Sequence, residues 1–141
     1  MPKTSVTINL SEASKLAEQM AKKLRGGEIL ALSGPLGSGK TTFTKALGKA
    51  LGIRQNIPSP TFVMMQEFET TKNSTDKSKK LILYHLDLYR TKSFAEVKSL
   101  GITEWWGHPQ TITVIEWADK INAQLPPQTI RLIFQRDIHD N

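Results

Sequence analysis

Residues 28–41 read Glu28-Ile29-Leu30-Ala31-Leu32-Ser33-Gly34-Pro35-Leu36-Gly37-Ser38-Gly39-Lys40-Thr41. The stretch that begins at Gly34 matches the pattern G-x-x-x-x-G-K-[ST] of a phosphate-binding loop. The apolar run before the loop predicts a buried strand, and the spacing of Phe43, Leu47 and Leu51 after it predicts a helix. A strand, a glycine loop and a helix in this order predict a nucleotide-binding site.

Each residue type in this loop has its own chemical role. Glycine permits positive φ angles and lets backbone N–H groups approach phosphate oxygens. Lys40 can reach the β- and γ-phosphates, and the Thr41 hydroxyl is placed to ligate Mg²⁺. The predicted nucleotide contacts are Gly34, Gly37, Ser38, Gly39, Lys40, Thr41 and Thr42, the last as a second hydroxyl. A glycine turn without a ligand would explain neither Lys40 nor Thr41.

The length of 141 residues predicts a single domain over residues 1–141. Strands interleaved with helices predict a three-layer α/β domain of the P-loop NTPase type, with a mixed, mostly parallel sheet. No apolar stretch approaches the ~20 residues of a membrane span. With no cysteine in the chain, we expect a cytoplasmic protein without membrane contact.

Two strand-like runs end in acidic residues. Leu81-Ile82-Leu83-Tyr84-His85-Leu86 leads to Asp87, and Ile112-Thr113-Val114-Ile115 leads to Glu116. Carboxylates at the carboxyl ends of parallel strands reach the crevice where open α/β sheets bind ligands. Asp87 is therefore the candidate magnesium ligand, and Glu116 either ligates the metal, directly or through water, or acts on the attacking water. Together with Lys40 they form the predicted catalytic set. Each acid alone could instead cap a turn.

Two further polar residues, His85 and Arg90, each have two possible roles. His85 shares a strand face with Asp87 and is either a partner of the site or a structural histidine. Arg90 is either an internal arginine finger or the partner of a nearby acid such as Glu96 or Glu104. Trp117 follows Glu116 and is expected to pack near the site.

The loop around Ser59-Pro60-Thr61 resembles a switch. Its prolines keep it out of a helix. Switch loops present a hydroxyl to Mg²⁺ and the γ-phosphate, and we assign Thr61 to nucleotide binding on that basis. A strand-entry turn is the alternative.

The net charge is +6 and the isoelectric point is about 9.7. Four lysines lie in a polar stretch from Thr70 to Lys80, which we predict to be a loop after a strand from Phe62 to about Phe68. Such lysines are either solvated or contact RNA or an acidic partner. We also predict a helix capped near Ser11 and a last strand over Thr129 to Phe134.

The order and spacing of these blocks resemble the bacterial TsaE (YjeE) family, the ATPase of tRNA threonylcarbamoyladenosine synthesis. The blocks are the phosphate loop, Ser59-Pro60-Thr61-Phe62, His85-Leu86-Asp87-Leu88-Tyr89-Arg90, Leu100-Gly101-Ile102 and Ile115-Glu116-Trp117. The resemblance implies ATP and Mg²⁺ as cofactors. It also implies TsaD and TsaB as partners that modify adenosine 37, so that tRNA is reached indirectly through the complex. It assigns phosphate and metal binding to Lys40 and Thr41, and metal binding and hydrolysis to Asp87 and Glu116.

Two positions depart from that family's pattern. Many members carry an acid where this chain has Pro35, and many carry a threonine near the start of the first helix where this chain has Ala13 followed by Ser14. The acid and this threonine are therefore missing here.

Three other functions share the phosphate loop. A GTPase would carry an Asn-Lys-x-Asp motif, which the sequence lacks, so ATP is favoured. A small-molecule kinase usually needs an arginine-bearing lid, and the five arginines of this chain do not cluster. A nucleotide-dependent interaction module, whose hydrolysis resets a complex, overlaps with the family's role.

Overall fold

The computed structural model describes residues 5–54 and 65–136. Its strands are β1 (Ser5–Asn9), β2 (Ile29–Ser33), β3 (Met65–Asn73), β4 (Lys80–Asp87), β5 (Thr111–Glu116) and β6 (Ile130–Gln135). Its α-helices are α1 (Leu10–Lys23), α2 (Lys40–Ala50) and α3 (Phe94–Ser99), and 3₁₀ helices lie at Ile102–Trp105 and Ala118–Gln124. In these described residues, no helix combines the length and apolarity needed to cross a membrane.

One six-stranded sheet organises the molecule, in the order β1-β6-β2-β5-β4-β3. The first five strands in this sheet order, β1, β6, β2, β5 and β4, run parallel to one another. The edge strand β3 is antiparallel to its neighbour β4. The predicted mixed, mostly parallel sheet is therefore confirmed. Because parallel strands share a direction, the ends of β2, β4 and β5 meet at one edge.

The sheet has an apolar core on each face. In β4, Leu81 and Leu83 face the core formed with α1 and α2, whereas Tyr84 and Leu86 face the core beneath α3 and the 3₁₀ helices. This alternation follows from the two-residue period of a strand. The same period places Asp87 on the side of α1 and α2. The three predicted layers are thus present, and the face that carries the acid is set by the pleat.

Helix α1 begins earlier than the predicted cap at Ser11. Its N-cap is Asn9, and its first helical residue is Leu10. The backbone N–H of Asn9 donates to Oε1 of Glu12 at 3.0 Å, which is one half of a capping box. The cap lies two residues before Ser11 because Asn9 both ends β1 and caps α1.

The predicted loop from Thr70 to Lys80 is wrong in its first part. Strand β3 continues to Asn73, and residues 74–79 alone form the turn to β4. The Thr70 side chain is buried and its hydroxyl donates to the Leu81 carbonyl at 2.8 Å. Edge strands carry many polar residues because one side faces solvent, so low hydrophobicity did not mark a loop here. The predicted start of this strand at Phe62 lies outside the described residues.

Candidate active site

The glycine loop between β2 and α2 needs its glycines for different reasons. Gly34, Gly37 and Gly39 have φ angles of +139°, +76° and +114°. A Cβ atom at Gly34 would lie 2.4 Å from the carbonyl oxygen of Phe134, whereas one at Gly37 would meet nothing within 4 Å. Gly34 is therefore fixed by close packing against β6, and Gly37 by its backbone conformation alone.

Hydrogen bonds hold the loop in shape. The Ser38 hydroxyl donates to the Pro35 carbonyl at 2.6 Å, and Arg136 donates to the Leu36 carbonyl at 3.2 Å. Ser38 is fully buried, so its side chain shapes the loop from within. The end of β6 supports the loop through Arg136, a contact that the sequence analysis did not identify.

Helix α2 points its N-terminus into the loop. The first hydrogen bond at this end runs from the Phe43 N–H to the Gly39 carbonyl, at 2.8 Å. The N–H groups of Lys40, Thr41 and Thr42 therefore precede the intrahelical ladder and are available to an anion. The helix dipole adds partial positive charge at the same place.

The Lys40 ammonium is buried within this arrangement. It donates to the Gly34 carbonyl and lies 3.7 Å from the centroid of the Trp117 ring. Burial lowers the pKa of Lys40, while the nearby carboxylates of Glu116, Asp119 and Asp87 act in the opposite direction. The loop thus holds a cation beside two strand-end carboxylates.

Asp87 and Glu116 are direct neighbours across β4 and β5. Both side chains are buried, and the Asp87 carboxylate accepts the Tyr89 N–H at 2.8 Å. Burial is the main cause that raises the pKa of Asp87; the Tyr89 N–H lowers it and the Glu116 charge raises it. Two adjacent buried carboxylates repel each other, so this pair favours a cation between or beside them.

His85 fixes one of these carboxylates. Its Nε2 lies 2.6 Å from Oε2 of Glu116, and both side chains are almost fully buried. When Glu116 is ionised, the imidazole donates in this hydrogen bond, because an ionised carboxylate can only accept. Of the two possible roles of His85, the structure therefore favours a hydrogen-bond partner of the candidate site over a structural histidine.

Trp117 adopts a backbone conformation that is unusual for a bulky residue. Its φ angle of +59° is the one positive value among the described non-glycine residues. That conformation costs about 1–2 kcal/mol. It follows Glu116 directly, and the ring contacts both Lys40 and Tyr89, whose ring centroid lies 5.1 Å away. Strained backbone at the end of β5 thus accompanies an aromatic wall beside the lysine.

These groups line one cavity of about 570 Å³, which is within the usual range for small-molecule sites. Its described lining residues are Leu10, Leu36, Gly37, Gly39, Lys40, Thr41, Thr42, Asp87, Tyr89, Glu116 and Trp117. The structure therefore brings together the predicted lysine, both acids and both threonines. Gly34 and Ser38 support the loop from behind this lining.

Other residues that the sequence singles out are not among the described lining residues. Thr61 and Ser59 are outside the described residues. Arg90 lies in the exposed turn after β4 and is not among the described lining residues of the cavity. Ala13 is fully buried beneath Gly39. A Cβ atom added at Gly39 would lie 3.4 Å from the Cβ atom of Ala13. Ala13 therefore packs against the loop.

Three lining residues were missed. Leu10, Leu36 and Tyr89 are apolar or aromatic, are 37%, 65% and 53% exposed, and together line the cavity. Leu36 is an unspecified position of the loop motif, and Tyr89 is two residues beyond Asp87. Their roles depend on contacts between elements, for which the sequence carries no periodic signal.

The sequence model of the family described as threonylcarbamoyl adenosine biosynthesis protein TsaE matches residues 7–141. The chain belongs to the TsaE family. The TsaE protein of Bacillus subtilis strain 168, named a tRNA threonylcarbamoyladenosine biosynthesis protein, is 36% identical over 130 residues, which are 92% of this chain and 75% of that protein. The TsaE protein of Aquifex aeolicus is 41% identical over 108 residues, covering 75% and 69% of the two chains.

A solved structure agrees with this membership. The crystal structure of Bacillus subtilis YdiB superposes with a TM-score of 0.65 at 32% identity, and the match covers 94% of this chain and 76% of that chain. The resemblance to the TsaE family and the α/β fold are both confirmed.

Proposed function

We propose that this TsaE family protein binds ATP with Mg²⁺ and hydrolyses it slowly. We further propose that it acts with TsaD and TsaB in the threonylcarbamoylation of adenosine 37, in tRNAs that read codons beginning with A. The observation that supports this most is the meeting of Lys40, Asp87 and Glu116 at one cavity, beside the N-terminus of α2. We place this activity in the cytoplasm, where tRNA is modified.

The residues that line the cavity fit a nucleoside triphosphate. The backbone N–H groups at the start of α2 and the Lys40 ammonium would hold the phosphates. Leu10, Leu36, Tyr89 and Trp117 give the cavity apolar walls. The sequence has no Asn-Lys-x-Asp motif to read guanine, so the proposal is ATP.

The donor set also fits Mg²⁺. This ion is usually bound by one or two carboxylates, waters and substrate phosphates. Thr41, Asp87 and Glu116 would hold it, and the bound ion would neutralise phosphate charge. The hydrogen bond from His85 keeps the Glu116 carboxylate oriented, because it fixes one of its two oxygens. Glu116 is thereby positioned to accept a proton from water or to hold the metal.

The deciding experiment measures ATP hydrolysis by the purified chain, alone and with purified TsaD, TsaB and tRNA. We expect a low rate for the chain alone and a higher rate when all three are added. Glu116→Gln, which keeps the size of the side chain but cannot accept a proton, should fail to respond.

Two results would overturn the proposal. One is a wild-type rate that does not depend on the partners while ATP is consumed in phosphorylating a small molecule, which is kinase activity. The other is an unchanged rate in Glu116→Gln. If ATP binds and changes the assembly of the complex without being hydrolysed, the protein is an interaction module instead.

A further inference from the structure

Eight of the 19 lysine and arginine residues lie toward one end of the fold. The carboxyl-terminal end of α1 contacts the turn between β3 and β4, and that of α2 contacts Thr71 of β3, at the opposite end of β4 from Asp87. The basic edge, as we name it, consists of Lys22, Lys23, Arg25, Lys49, Lys72, Lys77, Lys79 and Lys80.

Direct contacts join these elements into one surface. The Lys72 ammonium donates to the carbonyl of Ala21 in α1, and the Thr75 N–H donates to the Arg25 carbonyl at 3.2 Å. A groove of about 770 Å³ lies between the elements and is lined by Lys22, Lys49 and Lys72 among others. Lys22, Lys49 and Lys72, which are far apart in the sequence, thus line one groove.

The charge of the basic edge is only partly neutralised by nearby acids. Residues 18–28 and 69–80 contain the acids Glu18, Glu28, Glu69 and Asp76, so the eight cations leave an excess of four positive charges. Glu28 accepts the N–H of Gly26 at 2.8 Å, and Asp76 accepts the hydroxyl of Ser78 at 2.7 Å. Within residues 5–54 and 65–136, none of the eight cations forms an ion pair with a carboxylate.

Part of this pattern has a structural explanation. Lys22, Lys23 and Lys49 lie in the last turns of their helices, where cations stabilise the helix dipole. That explanation does not apply to Lys77 and Lys79, which lie in the turn. Burial and the nearby Arg25 charge lower the pKa of Lys72, whereas the Glu28 charge raises it. A bound polyanion would offset the repulsion between Lys72 and Arg25.

The composition favours a nucleic acid over a protein. Protein interfaces are enriched in aromatic residues and arginine and depleted in lysine. Here seven of eight cations are lysines. The exposed large apolar residues of the described chain include none from the groove or from residues 74–79. Clustered lysines without large exposed apolar side chains among them are typical of contacts with phosphate backbones.

We propose that the basic edge binds the phosphate backbone of RNA, without reading base sequence. The site lies away from the nucleotide cavity, so it adds an RNA contact that the proposed ATPase does not require. Partner proteins would still handle the modified base.

The test is binding to fluorescently labelled tRNA, followed by anisotropy at increasing KCl without nucleotide. Lys77→Gln/Lys79→Gln should reduce the slope of log affinity against log salt by about 1.5, and adding Lys22→Gln/Lys23→Gln should reduce it by about 3, since each phosphate contact contributes about 0.7–0.9. Lys15→Gln/Lys98→Gln is the matched control, because both lysines are exposed and lie on other surfaces. Its slope should stay close to that of the wild type.

The proposal is overturned if the wild type does not bind tRNA, or if the control lowers the slope as much as the turn variant. It is also overturned if the turn variant keeps its RNA slope but loses binding to purified TsaD and TsaB, which would make the basic edge a protein-docking surface. Because no nucleotide is present, the result is independent of the proposed ATPase.

Discussion

Lys40 connects the loop to both acids. Its ammonium is buried, bonded to the Gly34 carbonyl and within Coulombic range of Asp87 and Glu116. A bound phosphate would offer it a full negative charge in place of a carbonyl dipole. The lysine is therefore the residue whose interactions should change most when a nucleotide binds.

We expect Lys40→Ala to abolish nucleotide-dependent activity and to weaken ATP binding by at least about 10-fold, because a charge-assisted hydrogen bond is worth about 1.5–3 kcal/mol. Fluorescent ATP analogue titration and thermal unfolding would measure binding and fold separately. Lys45→Ala, at an exposed position in the same helix, is the control. Undiminished turnover in Lys40→Ala would remove the site assignment.

His85 should act as a positioning residue through Glu116. We expect His85→Phe, which fills the space without donating, to lower kcat about 10- to 100-fold, as loss of such supporting partners commonly does. His85→Gln can still donate and should restore part of the rate, while the ATP analogue affinity stays near the wild-type value in both. Equal loss in the two variants would show that only packing matters at this position.

We expect the Asp87 carboxylate to support hydrolysis while lowering the stability of the folded chain. An acid whose pKa is raised in the folded state binds protons more tightly there than in the unfolded chain. Stability is then lost as the pH rises from the unfolded pKa of about 3.8 through the folded value. At pH 7 we expect Asp87→Asn to raise Tm without nucleotide, yet to lower hydrolysis at least about 100-fold.

Thermal unfolding at pH 4 and pH 7 would check this balance. The gain in Tm for Asp87→Asn over the wild type should shrink from pH 7 toward pH 4, because protonation of the wild-type carboxyl removes the buried charge. A variant that is less stable than the wild type at both pH values contradicts the expectation.

At the scale of elements, the glycine loop depends on β6 as well as on its own sequence. Gly34 packs against the Phe134 carbonyl, and Arg136 bonds to Leu36. The strand that comes last in the sequence therefore supports the loop that comes near its start. Loop shape and sheet order are coupled in this fold.

A pair of alanine substitutions would test this coupling. Gly34→Ala must overcome both its positive φ and a backbone clash, and should lower the free energy of unfolding by about 3 kcal/mol or more. Gly37→Ala meets only the φ penalty of about 1–2 kcal/mol. Urea denaturation gives both values, and similar losses would show that β6 does not hold Gly34.

Elements also differed in how well the sequence predicted them. The predicted strand that leads from Ile112 to Glu116 is confirmed as part of β5, because an apolar run between turn residues has few other structures available. Strand β3 extends to Asn73, beyond its predicted end at about Phe68, because the polar residues of an edge strand resemble those of a loop. Local patterns therefore serve buried elements better than edge elements.

At the scale of the whole molecule, a ligand that binds only the folded chain must stabilise it. With ATP and Mg²⁺ at about 100 times Kd, the gain is about 2.7 kcal/mol, which corresponds to several degrees in Tm. GTP at the same concentration should give a smaller shift, because the sequence lacks a guanine-reading motif. Differential scanning fluorimetry would compare the two, and a larger shift with GTP would favour the GTPase alternative.

The sequence by itself determined the phosphate loop, the two acid-tipped strands, the fold class and the resemblance to the TsaE family. These features rest on local spacing, in which residue order alone fixes strand faces and loop chemistry. The tertiary structure decided which of the candidates meet. It paired Asp87 with Glu116, bonded His85 to Glu116, placed Trp117 beside Lys40 and gathered distant lysines into the basic edge. Such contacts join residues far apart in the chain, and they depend on the order of the strands in the sheet, which no local pattern encodes.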